Sequence, residues 1–457
     1  MADHTFDLVV LGGGSGGYAA ALRAAELGSS VALIEKDKVG GTCLHRGCIP
    51  TKAMLHAAEI ADHARDAERY GVLTAFEGID PERVAKYRDG VVAKKFKGLE
   101  GLIRARGITV VAGEGRLVSP TAVAVGDEVY AAKSIVLATG SSVRSLPGLE
   151  PGGRVVTSEQ ALELDWVPKT VAVLGGGVIG VEFASIWRSF GAEVTIIEAL
   201  PHLVPGEDEA ISKGLERGFR RRRIDFRLGV PVRSVTQTDA GVTVTLDNDD
   251  TVDAELLLVA VGRGPATAGL GLEEAGVALD RGYVVTDDRL QTSVPGIYAV
   301  GDIVPGPQLA HRGFQQGVFV AEEIAGLSPA VVDDSLIPRV TYCDPEVASV
   351  GLSEAKAAAR YGAESVLAYE YGLAGNGKSE ILGTNGVVKV VRVKDGPVVG
   401  VHLLGARVGE LVGEAQLAVN WEAYPEDVAP LIHAHPTQGE ALGEAFLKLA
   451  GKPLHAL

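Results

Sequence analysis

Cys43 and Cys48, two of the three cysteines in a chain of 457 residues, stand five positions apart in GGTCLHRGCIPTK, from Gly40 to Lys52. Residues in a regular helix rise about 1.5 Å each, so cysteines at this spacing lie beyond the Cα separation that a disulfide tolerates. They can bridge only across a distorted turn, and Gly47 beside Cys48 is the residue that permits one. A bridge so placed would be strained and easily reduced, the mark of a redox-active pair rather than a structural staple. The rival reading is a zinc site completed by His45 and a distant histidine. Against it, the spacing falls outside the usual CxxC pattern and no further cysteine is near.

A second cluster stands near the C-terminus, where LIHAHPTQGEALGEAF offers His433, His435 and Glu440. A histidine there could take the proton from a substrate thiol, and a carboxylate could hold its ring in one tautomer. The same residues admit a purely structural reading. Thr437 and Glu440 match a TxxE capping box, and His435 before Pro436 marks a turn. Cys343, in VTYCDPEV, has no second cysteine close in sequence and reads as a small buried residue.

The elements that must position these groups repeat. FDLVVLGGGSGGYAAALRAAELGSSVALIEK and TVAVLGGGVIGVEFASIWRSFGAEVTIIEA each read as strand, glycine cluster, helix and a second strand ending in an acid. Gly12, Gly14, Gly17 and Glu35 recur as Gly175, Gly177, Gly180 and Glu198, each 163 positions later. The first glycine makes a tight turn, the second admits a pyrophosphate against the backbone, and the third lets helix pack on strand. The helix N-terminus favours the negative charge, and the acid accepts hydrogen bonds from a ribose. Two such units predict two nucleotide-binding domains. Glu198 would repel a 2′-phosphate, so the second site should prefer NAD over NADP. Arg220 to Arg223 follow it, but they lie well past the strand end and read as the solvated face of a helix.

Three further apolar runs end in glycine: SIVLATGSS, delivering Thr139 and Gly140; LLLVAVGRGP, delivering Gly262; and TSVPGIYAVGD, delivering Asp302. They fit strands of doubly wound sheets that carry ligand-facing loops at their C-terminal ends. After Ile337, RVTYC, VVKVVRV and VVGVHLLG interleave with helical segments, which predicts an α+β domain of another kind.

Length and composition bound the remaining choices. A chain of 457 residues is too long for one core and should form roughly two to four domains. The 43 Lys and Arg against 59 Asp and Glu leave a net charge of -16, which disfavours nucleic acid and anionic membrane surfaces as partners. The N-terminal apolar run meets glycine after a few residues and reads as a strand, not a signal peptide. Three cysteines make no disulfide framework of the secreted kind, so a reducing, cytoplasmic setting is expected.

Taken in order, the first GxGxxG, GGTCxxxGCxPxK, the second GxGxxG with its acid, the IYAxGD run and the terminal HxHPTxxE resemble the flavin-dependent pyridine nucleotide-disulfide oxidoreductases over almost the whole chain. The resemblance implies an α/β fold with two Rossmann-like nucleotide-binding domains plus a C-terminal α+β dimerisation domain. It places the FAD domain in 1–150, the NAD domain in 151–268, a central part completing the FAD domain in 269–336 and the dimerisation domain in 337–457. It implies non-covalently bound FAD and NAD as cofactors and a homodimer. Cys43 would be the interchange thiol, Cys48 the thiol beside the flavin, and Lys52 would lie near the flavin, paired with Glu182. Thr42, Asp302 and Leu309, Ala310 and His311 would join the FAD site. His435, oriented by Glu440, would be the base serving the other subunit's cysteines.

The implied reaction is oxidation of small-molecule or lipoyl-domain dithiols with reduction of NAD+, with the acyltransferase core of a 2-oxo acid dehydrogenase complex as a candidate partner. The alternative is NAD(P)H-dependent reduction of a low-molecular-weight disulfide of the glutathione or mycothiol type, which Glu198 disfavours. One departure from the family pattern concerns the redox turn. The usual Leu-Asn-Val-Gly between the cysteines is here Leu44-His45-Arg46-Gly47. Arg46 is expected to lower the thiolate pKa, and both changes could alter what reaches the pair.

Overall fold

Both glycine-rich units form the strand-helix-strand elements that their patterns predict. In the first, strand His4–Leu11 leads through the glycine turn into helix Ser15–Glu26 and returns as strand Val31–Glu35. In the second, strand Thr170–Leu174 leads into helix Val178–Phe190 and strand Glu193–Glu198. The computed structural model describes residues 3–456. Its contacts divide the chain into two units. One comprises Met1–Ala53, Glu82–Arg144 and Gly262–Asp334, and the other Met54–Pro81, Ser145–Val261 and Ser335–Leu457.

The first unit is built on a seven-stranded sheet. Thr109–Ala112, Val31–Glu35, His4–Leu11 and Glu128–Leu137 lie side by side in parallel, and Ile297–Ala299 pairs in parallel with the end of Glu128–Leu137. Strands buried on both faces read as continuous apolar runs, as VVL and IVL do here. Helix Ala310–Ile324 packs on helix Ser15–Glu26 through glycines on both sides. A Cβ on Gly317 would overlap the Gly16 carbonyl, and one on Gly313 would come within 2.9 Å of Ser15 Oγ.

The second unit holds a five-stranded parallel sheet in the order Ile224–Leu228, Glu193–Glu198, Thr170–Leu174, Leu256–Val259, Val155–Thr157. It also holds an antiparallel sheet in the order Arg339–Thr341, Glu346–Gly351, Val398–Gly405, Val387–Val393, Val366–Gly372. Helices Val408–Asn420 and Glu440–Leu449 bury Val412, Ala415, Leu442 and Phe446 against this sheet. The expected fold class therefore holds: parallel doubly wound sheets on the glycine turns and an α+β C-terminal part. Glu346–Gly351 and Val366–Gly372 are strands that the sequence reading did not single out.

Candidate active site

The redox turn is distorted in the way that a bridge at this spacing requires. A short helix Gly41–His45 carries Cys43, the backbone breaks at Arg46 (φ -139°) and Gly47, and a new helix Cys48–Asp66 starts on the second cysteine. Across this break the two free thiols are hydrogen-bonded to each other. That bond and partial burial drive the Cys43 thiol far above its ordinary pKa, while the Lys52 ammonium acts in the opposite sense. Tyr18, on the helix that follows the glycine turn, feels both sulfurs. Burial first, then the charges of Cys43 and Cys48, push its phenol up to about 12. Tyr18 therefore stays protonated at neutral pH and is a neutral neighbour of the pair, one that the motifs did not reveal.

His45 and Arg46 do not point where their sequence position suggested. The His45 ring meets the Val39 carbonyl at 2.9 Å through Nε2 and lies edge-on to Phe96, with centroids 4.9 Å apart. Arg46 donates to Asp37 Oδ2 at 2.8 Å. Its charge faces a carboxylate, and the cation that lowers the Cys43 pKa is Lys52.

The glycine turns have the shape that a dinucleotide needs. Gly12 (φ 103°) and Gly175 (φ 112°) occupy the left-handed region, and a Cβ on either would overlap the carbonyl of Ala138 or Ala260. A Cβ on Gly17 or Gly180 would overlap the carbonyl of Gly12 or Gly175, which confirms the helix-packing role of the third glycine. By contrast, a Cβ on Gly14 or Gly177 would meet nothing within 4 Å, so the backbone is open where a pyrophosphate would lie. Neither residue caps its helix with a side chain. Glu35 accepts from Gly13 N at 2.6 Å and Asp37 N at 2.9 Å. Glu198 accepts from Gly176 N at 2.6 Å and Leu200 N at 2.8 Å. Both acids are thus anchored beside the turns by backbone donors.

Around the first turn, Thr139 Oγ1 donates to Ala266 O at 2.8 Å and Gly140 O accepts from Ala266 N at 2.9 Å. Asp302 Oδ2 accepts from Ser141 Oγ at 2.6 Å, and Arg263 Nε donates to the same hydroxyl at 2.8 Å. Ser141 and Arg263 belong to short strands that follow Gly140 and Gly262, and sequence reasoning stopped at the glycines. Leu309 is the N-cap of helix Ala310–Ile324, whose first turn carries Ala310 and His311. Cys43, Cys48, Lys52, Thr42 and these residues belong to the first unit, as does Gly262; Gly175, Gly177, Gly180, Glu198, Glu182, His435 and Glu440 belong to the second.

Glu182 is 2% exposed and accepts from Tyr342 N at 2.9 Å, so it is no surface charge. Arg222 also departs from the expected solvated face. It is 17% exposed and donates to Asp62, Ser189 and the Asp344 carbonyl at 2.9, 2.7 and 3.1 Å. Cys343 is buried, as expected, with its thiol donating to Pro345 O at 3.3 Å.

The two readings of the C-terminal cluster turn out to be one arrangement. Glu440 opens the last helix, and its two oxygens divide the work. Oε2 accepts from Thr437 N at 2.7 Å, half of the predicted capping box, while Oε1 meets His435 Nδ1 at 2.8 Å. The other half of the box is missing because the helix starts at Glu440 with Gly439 as its N-cap, and Thr437 Oγ1 instead donates to Ala434 O at 2.7 Å. A carboxylate only accepts, so Nδ1 carries the hydrogen and the neutral ring presents an Nε2 lone pair. Burial alone would raise the Glu440 pKa, but the bonds from Thr437 and His435 hold it below its ordinary value. His435 is 77% exposed and Ile432, three residues earlier, is 98% exposed. His433 anchors the segment through Nε2 to Glu414 at 2.8 Å, a bond that raises the His433 pKa.

The family model for pyridine nucleotide-disulphide oxidoreductase matches residues 6–317, and the model for the dimerisation domain of the same family matches residues 337–446. The chain belongs to this family. A dihydrolipoyl dehydrogenase of Bacillus subtilis is 39% identical over 98% of this chain and 99% of its own length. A dihydrolipoyl dehydrogenase of Geobacillus stearothermophilus is 38% identical over 99% of this chain and 97% of its own length. The crystal structure of LpdA from Mycobacterium tuberculosis superposes with a TM-score of 0.90 at 28% identity, covering 98% of this chain and 99% of that one.

FAD and NAD are accordingly the cofactors of this oxidoreductase, and the two open glycine turns with their anchored acids fit them. The dimerisation domain makes the chain a homodimer. Among the described residues no helix is long and apolar enough to cross a membrane, and no cluster of three or more histidines, cysteines and acids could hold a metal.

Proposed function

We propose that the chain oxidises dihydrolipoyl groups to the disulfide with reduction of NAD+, using Cys43 and Cys48 as the exchanging pair and His435 of the partner subunit as the base. The observation that carries this reading is the hydrogen-bonded pair of thiols across the helix break, because sulfurs that close can form and open a disulfide without rearranging the fold. The names of the relatives support the substrate class.

In the oxidised enzyme the pair is a disulfide. A substrate thiol gives its proton to His435 Nε2, and the resulting thiolate attacks Cys43 Sγ. The Cys43–Cys48 bond breaks and Cys48 leaves as a thiolate. The second substrate thiol passes its proton to Cys43 Sγ as that sulfur leaves, and its own sulfur attacks the substrate sulfur of the mixed disulfide. That step releases the cyclic lipoyl disulfide and leaves Cys43 as a thiol, Cys48 as a thiolate and one proton on His435, so two protons and two electrons have left the substrate. Bound FAD supplies the two-electron relay from the dithiol to NAD+. Gly12, Gly14, Gly17, Glu35, Thr42, Thr139, Gly140, Asp302 and the Leu309 to His311 segment would hold FAD, and Lys52 would lie beside its ring. Gly175, Gly177, Gly180 and Glu198 would hold NAD. Glu440 keeps the base in its productive tautomer throughout, and the high exposure of His435 suits a base delivered to another subunit.

This reading includes the four-part domain order, a cytoplasmic setting, and service to the lipoyl domains of an acyltransferase core. Replacing His435 with Gln should slow dihydrolipoamide oxidation by about two to four orders of magnitude while FAD stays bound. Unchanged turnover in that variant would remove His435 from the mechanism. Faster turnover of NADPH with glutathione disulfide than of NAD+ with dihydrolipoamide would overturn the substrate assignment.

A further inference from the structure

The redox turn carries a positive charge that its surroundings cancel. Arg46 lies between the two cysteines in sequence, at the break between their helices. Its guanidinium donates to Asp37 Oδ2 at 2.8 Å, and both side chains are 47% exposed. Asp37 is not a chance neighbour. Its backbone N–H donates to Glu35 Oε1 at 2.9 Å, and Gly40 N donates to Gly13 O at 2.8 Å, so the loop that carries Asp37 is tied at both ends to the glycine turn. The adjacent His45 grips the same loop through the Val39 carbonyl at 2.9 Å while its ring rests edge-on against Phe96. Two consecutive residues of the redox turn are thus fastened to one rigid loop, and that fastening turns the guanidinium towards a carboxylate.

From this geometry we propose that Asp37 is a specificity-determining residue: it masks the Arg46 charge beside the cysteine pair, so that the site takes an uncharged dithiol or disulfide as readily as a chain without the arginine would. The proposal rests on the lipoyl reading above and refines it by charge class. A guanidinium without its carboxylate would attract an anionic substrate, whereas a neutralised pair exerts little field at the distance of an incoming disulfide.

Lipoamide and lipoate carry the same dithiolane ring and differ in one carboxylate, so they isolate the charge term. NADH-driven reduction of each by the FAD-loaded dimer is compared in the wild type, Asp37→Asn, Arg46→Val and the double variant. Asp37→Asn keeps the backbone bond to Glu35. It should raise the lipoate-to-lipoamide ratio of kcat/KM by about two- to tenfold, through KM, with lipoamide turnover near wild type. The gain should fade at about 0.5 M salt. Arg46→Val and the double variant should both keep the wild-type ratio, since neither has an unmasked cation. An unchanged ratio in Asp37→Asn, or an equal rise in Arg46→Val, would overturn the proposal alone. A wild type that reduces neither compound would instead overturn the lipoyl reading. FAD content and thermal melting of each variant confirm that the fold is intact.

Discussion

The two dinucleotide-binding units of this chain are built on one seat and diverge immediately after it. Each has a left-handed glycine under a backbone carbonyl, an open second glycine, and an acid anchored by the N–H of the glycine between them at 2.6 Å. Even the first step of the following loop is shared. Gly40 N returns to Gly13 O, and Val204 N returns to Gly176 O, both at 2.8 Å. Beyond that point the first loop runs into Gly41, where a Cβ would approach Gly14 Cα to 2.7 Å, and on into the cysteine turn. The second runs into Asp208, which caps helix Glu209–Arg221 through Ala210 N and accepts from Lys389 Nζ at 2.9 Å and Glu354 N at 3.0 Å. The same seat therefore has the shape for a dinucleotide in both places. What the next ten residues carry decides whether the site reacts with sulfur or is braced by a buried ion pair.

The divergent ends are where variants should act most strongly. Cys48→Ser should cut dithiol oxidation to below about 0.1% of wild type with FAD retained, because no sulfur remains to leave Cys43. Residual turnover above that level, measured with dihydrolipoamide and NAD+, would mean that the first loop is not the reacting one. At the other end, Asp208→Asn should destabilise the second unit by about 1–3 kcal/mol at neutral pH, because it removes the buried carboxylate from Lys389 and leaves Glu354, at 2.7 Å, as the nearest counter-charge. Burial opposes the Asp208 charge, but Lys389 and the Glu354 N–H outweigh it and hold its pKa below the ordinary value. Its contribution is therefore complete above the unfolded carboxyl range and is lost as pH falls through the lower folded value. The gap in chemical stability between wild type and variant should stay flat from about pH 5 to 8 and close only on the acid side.

The shared seat offers finer tests. Gly175→Ala forces an overlap with the Ala260 carbonyl and should raise the KM for NAD+ about tenfold without loss of FAD, whereas Gly12→Ala should lower the FAD-to-protein absorbance ratio. If Gly175→Ala released FAD, the two seats would not be separable. The smallest effect is expected at Glu198. Glu198→Ala should narrow the preference of kcat/KM for NADH over NADPH by about tenfold or less, since it removes repulsion without adding a phosphate partner.

Both glycine units, the broken cysteine helix and the C-terminal histidine segment were legible in the sequence because each is a local arrangement. A bridge between Cys43 and Cys48 at their spacing requires a distorted turn, and a left-handed glycine before a helix needs only its neighbours. Legibility failed where a side chain answers to residues far along the chain. Arg222 reads as one more arginine in a solvated run, yet Asp62, Ser189 and Asp344 enclose it. Arg46 reads as a cation on the thiolates, yet Asp37 holds it. Ser141 and Arg263 escaped notice because their pairing joins strands more than a hundred residues apart. The strand Glu346–Gly351 is short and buried along its inner positions, Ser349 among them, a pattern that periodicity cannot separate from a buried loop.

What the sequence determined by itself is the set of local conformations and the chemistry they carry: two glycine turns ahead of helices, one pair of sulfurs five positions apart, one histidine ahead of an acid. What only the tertiary structure decided is which charges act. Glu440 could orient a base or cap a helix, and packing lets its two oxygens do both. Arg46 could activate a thiol, and a loop anchored to the glycine turn points it elsewhere. Backbone geometry is governed by neighbours in sequence, whereas an electrostatic effect falls off with distance in space, and spatial distance is set only when the chain has folded.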